Sequence, residues 1–185
     1  MKKKYSVLLD KKTISSSIIR LAHEIYENNR ELDDLVLIGI QTRGKPLSKR
    51  IQEELYNISD LKVSLGSLDI TFHRDDYRER LLVPQVDGTD ISFSLDDKIV
   101  VLVDDVLYTG RTIRAAIDSL NAFGRAKSIQ LAVLVDRGHR EMPIKADYVG
   151  KNIPTSEGEH IAVRLEEIDE KDAVIIIKHN LLDKS

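Results

Sequence analysis

Apolar residues recur at Ile14, Ile18, Leu21, Ala22 and Ile25, a spacing that predicts an amphipathic helix with Thr13 placed to cap it. Leu35 to Ile40 is a short apolar run that ends at a polar loop and reads as a buried strand. Helical spacing returns from Pro46 to Tyr56, with proline in the first turn, where its missing N–H costs little. Val63 to Ile70 is strand-like. Residues 71 to 97 are polar, charged and interrupted by Pro84 and Gly88, which predicts a long loop or hairpin. Ile99-Val100-Val101-Leu102-Val103 is a β-branched run suited to a central strand. Ile113, Ala116, Ile117 and Leu120 then mark a helix that Gly124 stops. Ile129 to Val135 is another strand, closed by the polar loop Asp136-Arg137-Gly138-His139-Arg140. This alternation predicts an α/β fold, a mostly parallel sheet with helices on both faces. Ligands of such sheets sit at the carboxyl ends of the strands, so loops 39–45, 104–112 and 136–140 are the ones to inspect.

Composition narrows the chemistry. The chain has 185 residues, which fits a single domain. It has no Cys, which excludes a disulfide scaffold, thiolate-bound zinc, an iron–sulfur cluster and a cysteine nucleophile. The net charge of -3 argues against a generic polycation, although a local basic face remains compatible with it. Met1-Lys2-Lys3-Lys4 begins like a signal peptide, but Tyr5 to Leu9 is too short an apolar stretch to be the core of one. No apolar run is long enough to span a bilayer, and a cytoplasmic protein is expected. The histidines show no metal-ligand spacing; His23 lies on or beside the apolar stripe of its helix, as a structural histidine would.

The strongest local signal is Asp104-Asp105 at a strand end followed by Thr109-Gly110-Arg111-Thr112 at a helix start. Free N–H groups, a positive dipole end, two hydroxyls and a guanidinium together suit a phosphate monoester. The carboxylates would repel phosphate, so sugar hydroxyls or hydrated Mg²⁺ are their natural partners. A ribose diol close to a 5-phosphate satisfies both halves. Gly39 to Lys45 matches the first part of a Walker pattern, but Pro46 stands where Ser or Thr must hold Mg²⁺, so an NTPase is rejected. What remains there is a glycine-flanked loop with Arg43, suited to an anion such as pyrophosphate. Arg74, Arg78 and Arg80 lie in a charged segment that reads first as a solvated hairpin and also suits a lid over a polyphosphate.

Val101 to Thr112 resembles the PRPP signature of type I phosphoribosyltransferases, and the Leu107-Tyr108 insert with the Arg111-Thr112 end resembles their PyrR branch. Gly39 to Gly44, Leu68 to Thr71, Val135 to Glu141 and Ala146 to Ser156 carry the same resemblance. It implies a phosphoribosyltransferase fold over residues 1–185, with a flexible loop about 71–95 and a small hood about 137–165. The implied reaction is uracil plus PRPP to UMP and pyrophosphate, with Mg²⁺ carried mainly by PRPP and water. Asp104 and Asp105 are the implied catalytic pair, holding ribose hydroxyls and the metal's water shell. Val106, Leu107, Tyr108, Thr109, Gly110, Arg111 and Thr112 would cradle PRPP or UMP. Thr42 and Arg43 would bind pyrophosphate in a loop where family members often have a cis peptide. Arg74, Arg78 and Arg80 would form the lid, and Arg137 and Ile161 would belong to the uracil hood.

The branch also implies a second role, UMP- or UTP-promoted binding of a pyrimidine-operon leader RNA, and assembly into at least a homodimer. Arg20, His23, His139, Arg140, Lys145 and Lys151 match the implied RNA face. Ser15-Ser16-Ser17-Ile18-Ile19 departs from it, standing where many relatives carry arginines and a threonine. Each lost phosphate contact weakens binding, so the transfer reaction is the firmer expectation. The rivals are an RNA attenuator that senses uridine nucleotides with little enzymatic activity, and a purine phosphoribosyltransferase sharing the PRPP loop.

Overall fold

The computed structural model describes residues 4–30, 32–70, 88–156 and 158–178. Strands β2 (Leu35–Ile40), β3 (Ser64–Leu68), β4 (Ile99–Leu107), β5 (Ser128–Asp136) and β6 (Tyr148–Asn152) form one parallel sheet in the order β3-β2-β4-β5-β6. Helices α1 (Lys11–Asn28) and α2 (Gly44–Ser59) cover one face, and α3 (Arg111–Leu120) covers the other.

The period-2 geometry of strands explains the continuous apolar runs. Leu35 and Leu37, Val101 and Val103, and Ala132 and Leu134 point into the core shared with α1 and α2. Val36 and Ile38, Val100 and Leu102, and Leu131 and Val133 point into the core shared with Ile113, Ala116 and Leu120 of α3. Both faces are buried, so no polar alternation survives in β2. A buried polar knot closes one end of the first core. Asn29, just past α1, donates to Tyr148 Oη and Gln130 Oε1, each at 3.0 Å.

Two expectations are corrected. Asp10, not Thr13, caps α1: its Oδ1 accepts the Thr13 N–H at 2.8 Å and the Thr13 hydroxyl at 2.6 Å. A carboxylate outcompetes a hydroxyl for the free N–H groups and the positive end of the helix. The strand expected to end at Val103 runs on to Leu107, because β5 keeps pairing with it: Asp104 lies beside Val133 and Leu107 beside Asp136. The acidic pair is therefore part of the strand and shares its rigidity.

A second, antiparallel sheet has the order β1-β8-β7, from β1 (Lys4–Leu9), β7 (Glu159–Arg164) and β8 (Ala173–Lys178). Strand β1 thus pairs with β8, the last of the strands among the described residues. Short α4 (Glu166–Asp169) joins β7 to β8. Arg50 of α2 fastens this corner, donating to both oxygens of Asp172 at 2.8 Å and to Glu167 at 2.6 and 2.8 Å. These pairs hold the Arg50 guanidinium well above its ordinary pKa and Asp172 below its own.

Close backbone packing sets the first ligand loop. A Cβ on Gly44 would fall inside contact distance of the Val103 carbonyl oxygen, and one on Gly39 would strike the Gly44 carbonyl. The loop between β2 and α2 therefore lies directly against β4 at Val103. Gly44→Ala is expected to cost about 1–3 kcal/mol, since the obstructing atom is backbone and cannot turn aside. The urea midpoint checks this, and an unchanged midpoint would show the loop to be loosely seated.

Candidate active site

The carboxyl ends of β2, β4 and β5 open onto a cleft of about 840 Å³. Its lining brings together Gln41, Thr42, Arg43, residues 104–113, Arg137, His160 and Ile161. Thr42, Arg43, Asp104 to Thr112, Arg137 and Ile161, singled out from the sequence, thus share one wall system. Arg74, Arg78 and Arg80 lie outside the described residues. His160, on β7 beside Ile161, is an addition that no spacing signal marked.

The Gln41–Thr42 peptide is cis. Gln41 is anchored from both ends: its N–H donates to Leu68 O at 2.9 Å, and its side-chain amide donates to Gly88 O at 2.7 Å. Arg43 makes a two-toothed contact with Asp169 of α4, Nη2 to Oδ1 at 2.8 Å and Nε to Oδ2 at 3.2 Å.

Asp104 is 7 % exposed. Its Oδ1 accepts the Asp105 N–H at 2.9 Å, and Asp105 Oδ1 accepts the Val106 N–H at 3.0 Å. Each carboxylate is thus oriented by the next peptide of the strand. Burial pushes the Asp105 carboxyl above its ordinary range, against the pull of a hydrogen bond from Asp104 and the nearby Arg43 charge. Two adjacent carboxylates in a cleft resist simultaneous ionisation, and a polyhydroxyl or cationic ligand relieves that cost.

After β4 the chain turns through Tyr108 to Gly110, whose φ of 92° begins α3 and is open to glycine. The turn is held from the segment after β5. Leu107 O accepts the Arg137 N–H at 3.1 Å, and Thr109 O accepts the N–H groups of Glu141 and Met142 at 2.9 and 3.0 Å. Tyr108 O accepts from Arg140 Nη1 at 2.8 Å, and Arg111 Nε pairs with Glu141 at 2.6 Å. The start of α3 is therefore a braced set of N–H groups and hydroxyls, with the positive end of the helix behind it.

Arg137 is 6 % exposed and lies with its guanidinium carbon 3.9 Å from the centroid of the Tyr108 ring. It also donates to Thr155 Oγ1 at 3.2 Å and Glu159 O at 2.8 Å. One buried cation thus links the turn before α3 to the edge formed by Thr155, Glu159 and Ile161.

The basic residues divide into used and open. Arg20 is bonded to Glu24 and to the carbonyls of Val149 and Gly150. Arg140 is enclosed by Asp136 and the carbonyls of Leu107, Tyr108, Gly138 and Ile144. His139 Nε2 meets Thr155 O at 2.6 Å. His23, Lys145 and Lys151 are exposed, and so are Arg20 and His139 despite these bonds. His23 therefore lies on the outer side of α1 and is not the buried structural histidine its spacing suggested.

No group of three or more metal-ligating side chains occurs among the described residues, and no described helix is long and apolar enough to cross a membrane.

The elevated Asp105 value has a consequence for stability. An acid whose folded pKa is raised ionises more readily when unfolded, so stability falls as pH climbs from the ordinary carboxylate range through the raised value. Asp105→Asn keeps the acceptor for Val106 N–H and removes the charge. It is expected to raise the melting temperature near neutral pH by a few degrees and to change it little in acid. Thermal melts at the two pH values check this; a loss of stability at neutral pH would contradict it.

Comparison with known proteins gives the family. The family model described as the phosphoribosyl transferase domain matches residues 4–168. A protein of Clostridioides difficile (strain 630) named "Bifunctional protein PyrR" is 56% identical over 169 residues, 91% of this chain and 96% of that protein. One of the same name from Pelotomaculum thermopropionicum is 52% identical over 178 residues, 96% of this chain and 98% of that protein. Among solved structures, the hypoxanthine phosphoribosyltransferase of Trypanosoma cruzi in complex with IMP superimposes with TM-score 0.71 at 18% identity, covering 95% of this chain and 91% of that one. A hypoxanthine phosphoribosyltransferase from Staphylococcus aureus gives 0.68 at 20%, covering 95% and 93%. At such identities the structures speak for the fold alone, whereas identity above one half along nearly the whole length speaks for the branch. The chain is a member of the phosphoribosyl transferase domain family and, within it, of the PyrR group.

Proposed function

We propose that this chain transfers the phosphoribosyl group of PRPP to uracil, giving UMP and pyrophosphate. The observation that carries this is the joint placement of the Asp104–Asp105 pair, the start of α3 and Arg43 on one cleft. A sugar bearing a phosphate at one end and a pyrophosphate at the other matches that sequence of acidic, N–H-rich and cationic walls.

In this reading Thr109 to Thr112 hold the 5-phosphate through N–H groups, hydroxyls and the positive end of α3. Thr42 and Arg43 hold the pyrophosphate. Asp104 and Asp105 accept from the ribose hydroxyls and stabilise positive charge as it grows on the sugar ring. The bond to pyrophosphate loosens before the base attacks, so catalysis rests on positioning and on fixed charges. Mg²⁺, when bound, neutralises pyrophosphate and makes it a better leaving group. The donor set fits such an ion. Two carboxylates, without a third ligand among the described residues, suit a hard cation that keeps its waters and arrives with substrate phosphates. Ile161 supplies an apolar wall for the base, and Arg137 braces the backbone around it. Arg74, Arg78 and Arg80 remain the proposed lid, and the segment about 137–165 the proposed hood.

A regulatory reading stands beside the enzymatic one, since the relatives are named bifunctional. RNA binding would fall to the exposed His23, Lys145 and Lys151 more than to Arg20 and Arg140, whose guanidinium groups already serve internal carbonyls. With Ser15-Ser16-Ser17-Ile18-Ile19 on the first helix, leader-RNA binding should be weaker and less salt-dependent than that of a relative with arginines there. A homodimer or larger assembly and a cytoplasmic setting complete the proposal.

Purified protein with uracil, PRPP and Mg²⁺ should form UMP, with hypoxanthine and guanine failing as acceptors. Asp104→Asn combined with Asp105→Asn should lower turnover by at least about 100-fold while the circular-dichroism spectrum stays native. Near-normal turnover of that variant would remove the pair from the reaction. Tyr108→Leu should raise the KM for uracil several-fold, because Arg137 loses its stacking face, a contact worth about 1–2 kcal/mol. A gel shift with the leader RNA of the pyrimidine operon, with and without UMP, tests the second role. Turnover without any shift at low salt would leave an enzyme alone.

A further inference from the structure

Asp169 stands outside every motif and does not line the cleft, yet its carboxylate grips a side chain that does. The geometry of this pair is directional. A guanidinium offers two edges for two-toothed recognition, the side formed by Nε and Nη2 and the end formed by Nη1 and Nη2. Asp169 takes the side edge, at 3.2 and 2.8 Å. Among the described residues Nη1 has no hydrogen-bond partner, so the end edge remains available. The anchor itself is held. Asp169 Oδ2 accepts the Leu165 N–H at 3.0 Å, and the neighbouring Glu167 and Asp172 are clamped by Arg50 from the same helix that follows Arg43. Burial opposes ionisation of Asp169, but the hydrogen bonds from Arg43 and Leu165 N–H keep it below its ordinary range. The carboxylate is therefore charged and paired with Arg43 without itself lining the cleft.

We propose that Asp169 is a positioning residue for anion binding: it fixes the side edge of Arg43 so that the end edge is presented to the pyrophosphate group of the substrate. The arrangement resembles the way an outer carboxylate orients a ligand side chain at a metal site, one acid setting the direction of the group that meets the substrate. It also restricts a long side chain before the ligand arrives, which lowers the ordering cost at binding. The proposal rests on Arg43 as a pyrophosphate contact and adds to it the residue that aims it.

A double-mutant cycle tests this. Asp169→Asn preserves shape and one acceptor; Asp169→Ala removes both. Asp169→Ala is expected to raise the KM for PRPP and the inhibition constant of pyrophosphate by the same factor, on the order of tenfold, with Asp169→Asn between it and the parent. The KM for uracil should move less than twofold or so, which a general loosening of α4 would not respect. In an Arg43→Ala background, Asp169→Asn should add nothing. Titration calorimetry with pyrophosphate and Mg²⁺ reads the same cycle without turnover. An additive effect in that background, or tighter pyrophosphate binding by Asp169→Asn, overturns the positioning role while leaving Arg43 in place. An Arg43→Ala protein that binds pyrophosphate and PRPP as the parent does overturns both.

Discussion

Gly39 of β2 pairs with Val103 of β4, and Asp104 of β4 with Val133 of β5. Strands β4 and β5 therefore end side by side at Leu107 and Asp136, while β2 ends at Ile40, one residue past its pairing with Val103, and the chain must turn at all three ends. Parallel pairing forces each return connection around the sheet, so every one of those turns opens onto the same edge. The loop before α2, the turn before α3 and the segment after β5 meet because of that register. Shifting β4 by one residue would send the Asp104 side chain to the opposite face.

That edge is rigid where the chemistry demands it. Asp104 and Asp105 belong to a paired strand, and each is oriented by the peptide that follows it. The turn before α3 is tied by its carbonyls to residues 137–142, and Gly44 rests against Val103 of β4. Such bracing keeps donors and acceptors aimed before a ligand arrives, which is where electrostatic catalysis gains most of its effect. The cost appears in Asp105, whose burial raises its pKa and makes the folded state carry an unfavourable charge. A functional site that lowers stability in this way is a common compromise in enzymes.

The acidic corner around α4 gives the second sheet a role beyond packing. Arg43 and Arg50 both lie on or beside α2, and both are answered by carboxylates of the segment from Glu167 to Asp172. The antiparallel sheet thereby reaches the cleft through Ile161 and His160 of β7, and the connection after it adds Asp169, paired with Arg43. A region distant in sequence thus contributes both a wall and a support to the site.

Much of this was legible in the residues themselves. Doubly buried strands are continuous in apolar residues, helices repeat at their own period, and strands β2, β4 and β5 announced themselves on that basis. The Asp-Asp and Thr-Gly-Arg-Thr loops carry their chemistry locally, in groups within a few residues of each other, and so could be read along the chain. Strand β1 could not, because Lys4 to Leu9 is short and its partner β8 lies at the other end of the sequence. The helix cap at Asp10 and the true end of β4 also depended on competition between neighbouring groups and strands. Tertiary structure alone decided that Arg20 and Arg140 spend their charge on carbonyls, that His160 borders the cleft and that Asp169 pairs with Arg43. Arg20 with Val149 and Gly150, Arg140 with Leu107 and Tyr108, and Arg43 with Asp169 are many positions apart, and only the folded register brings such a donor within reach of its acceptor.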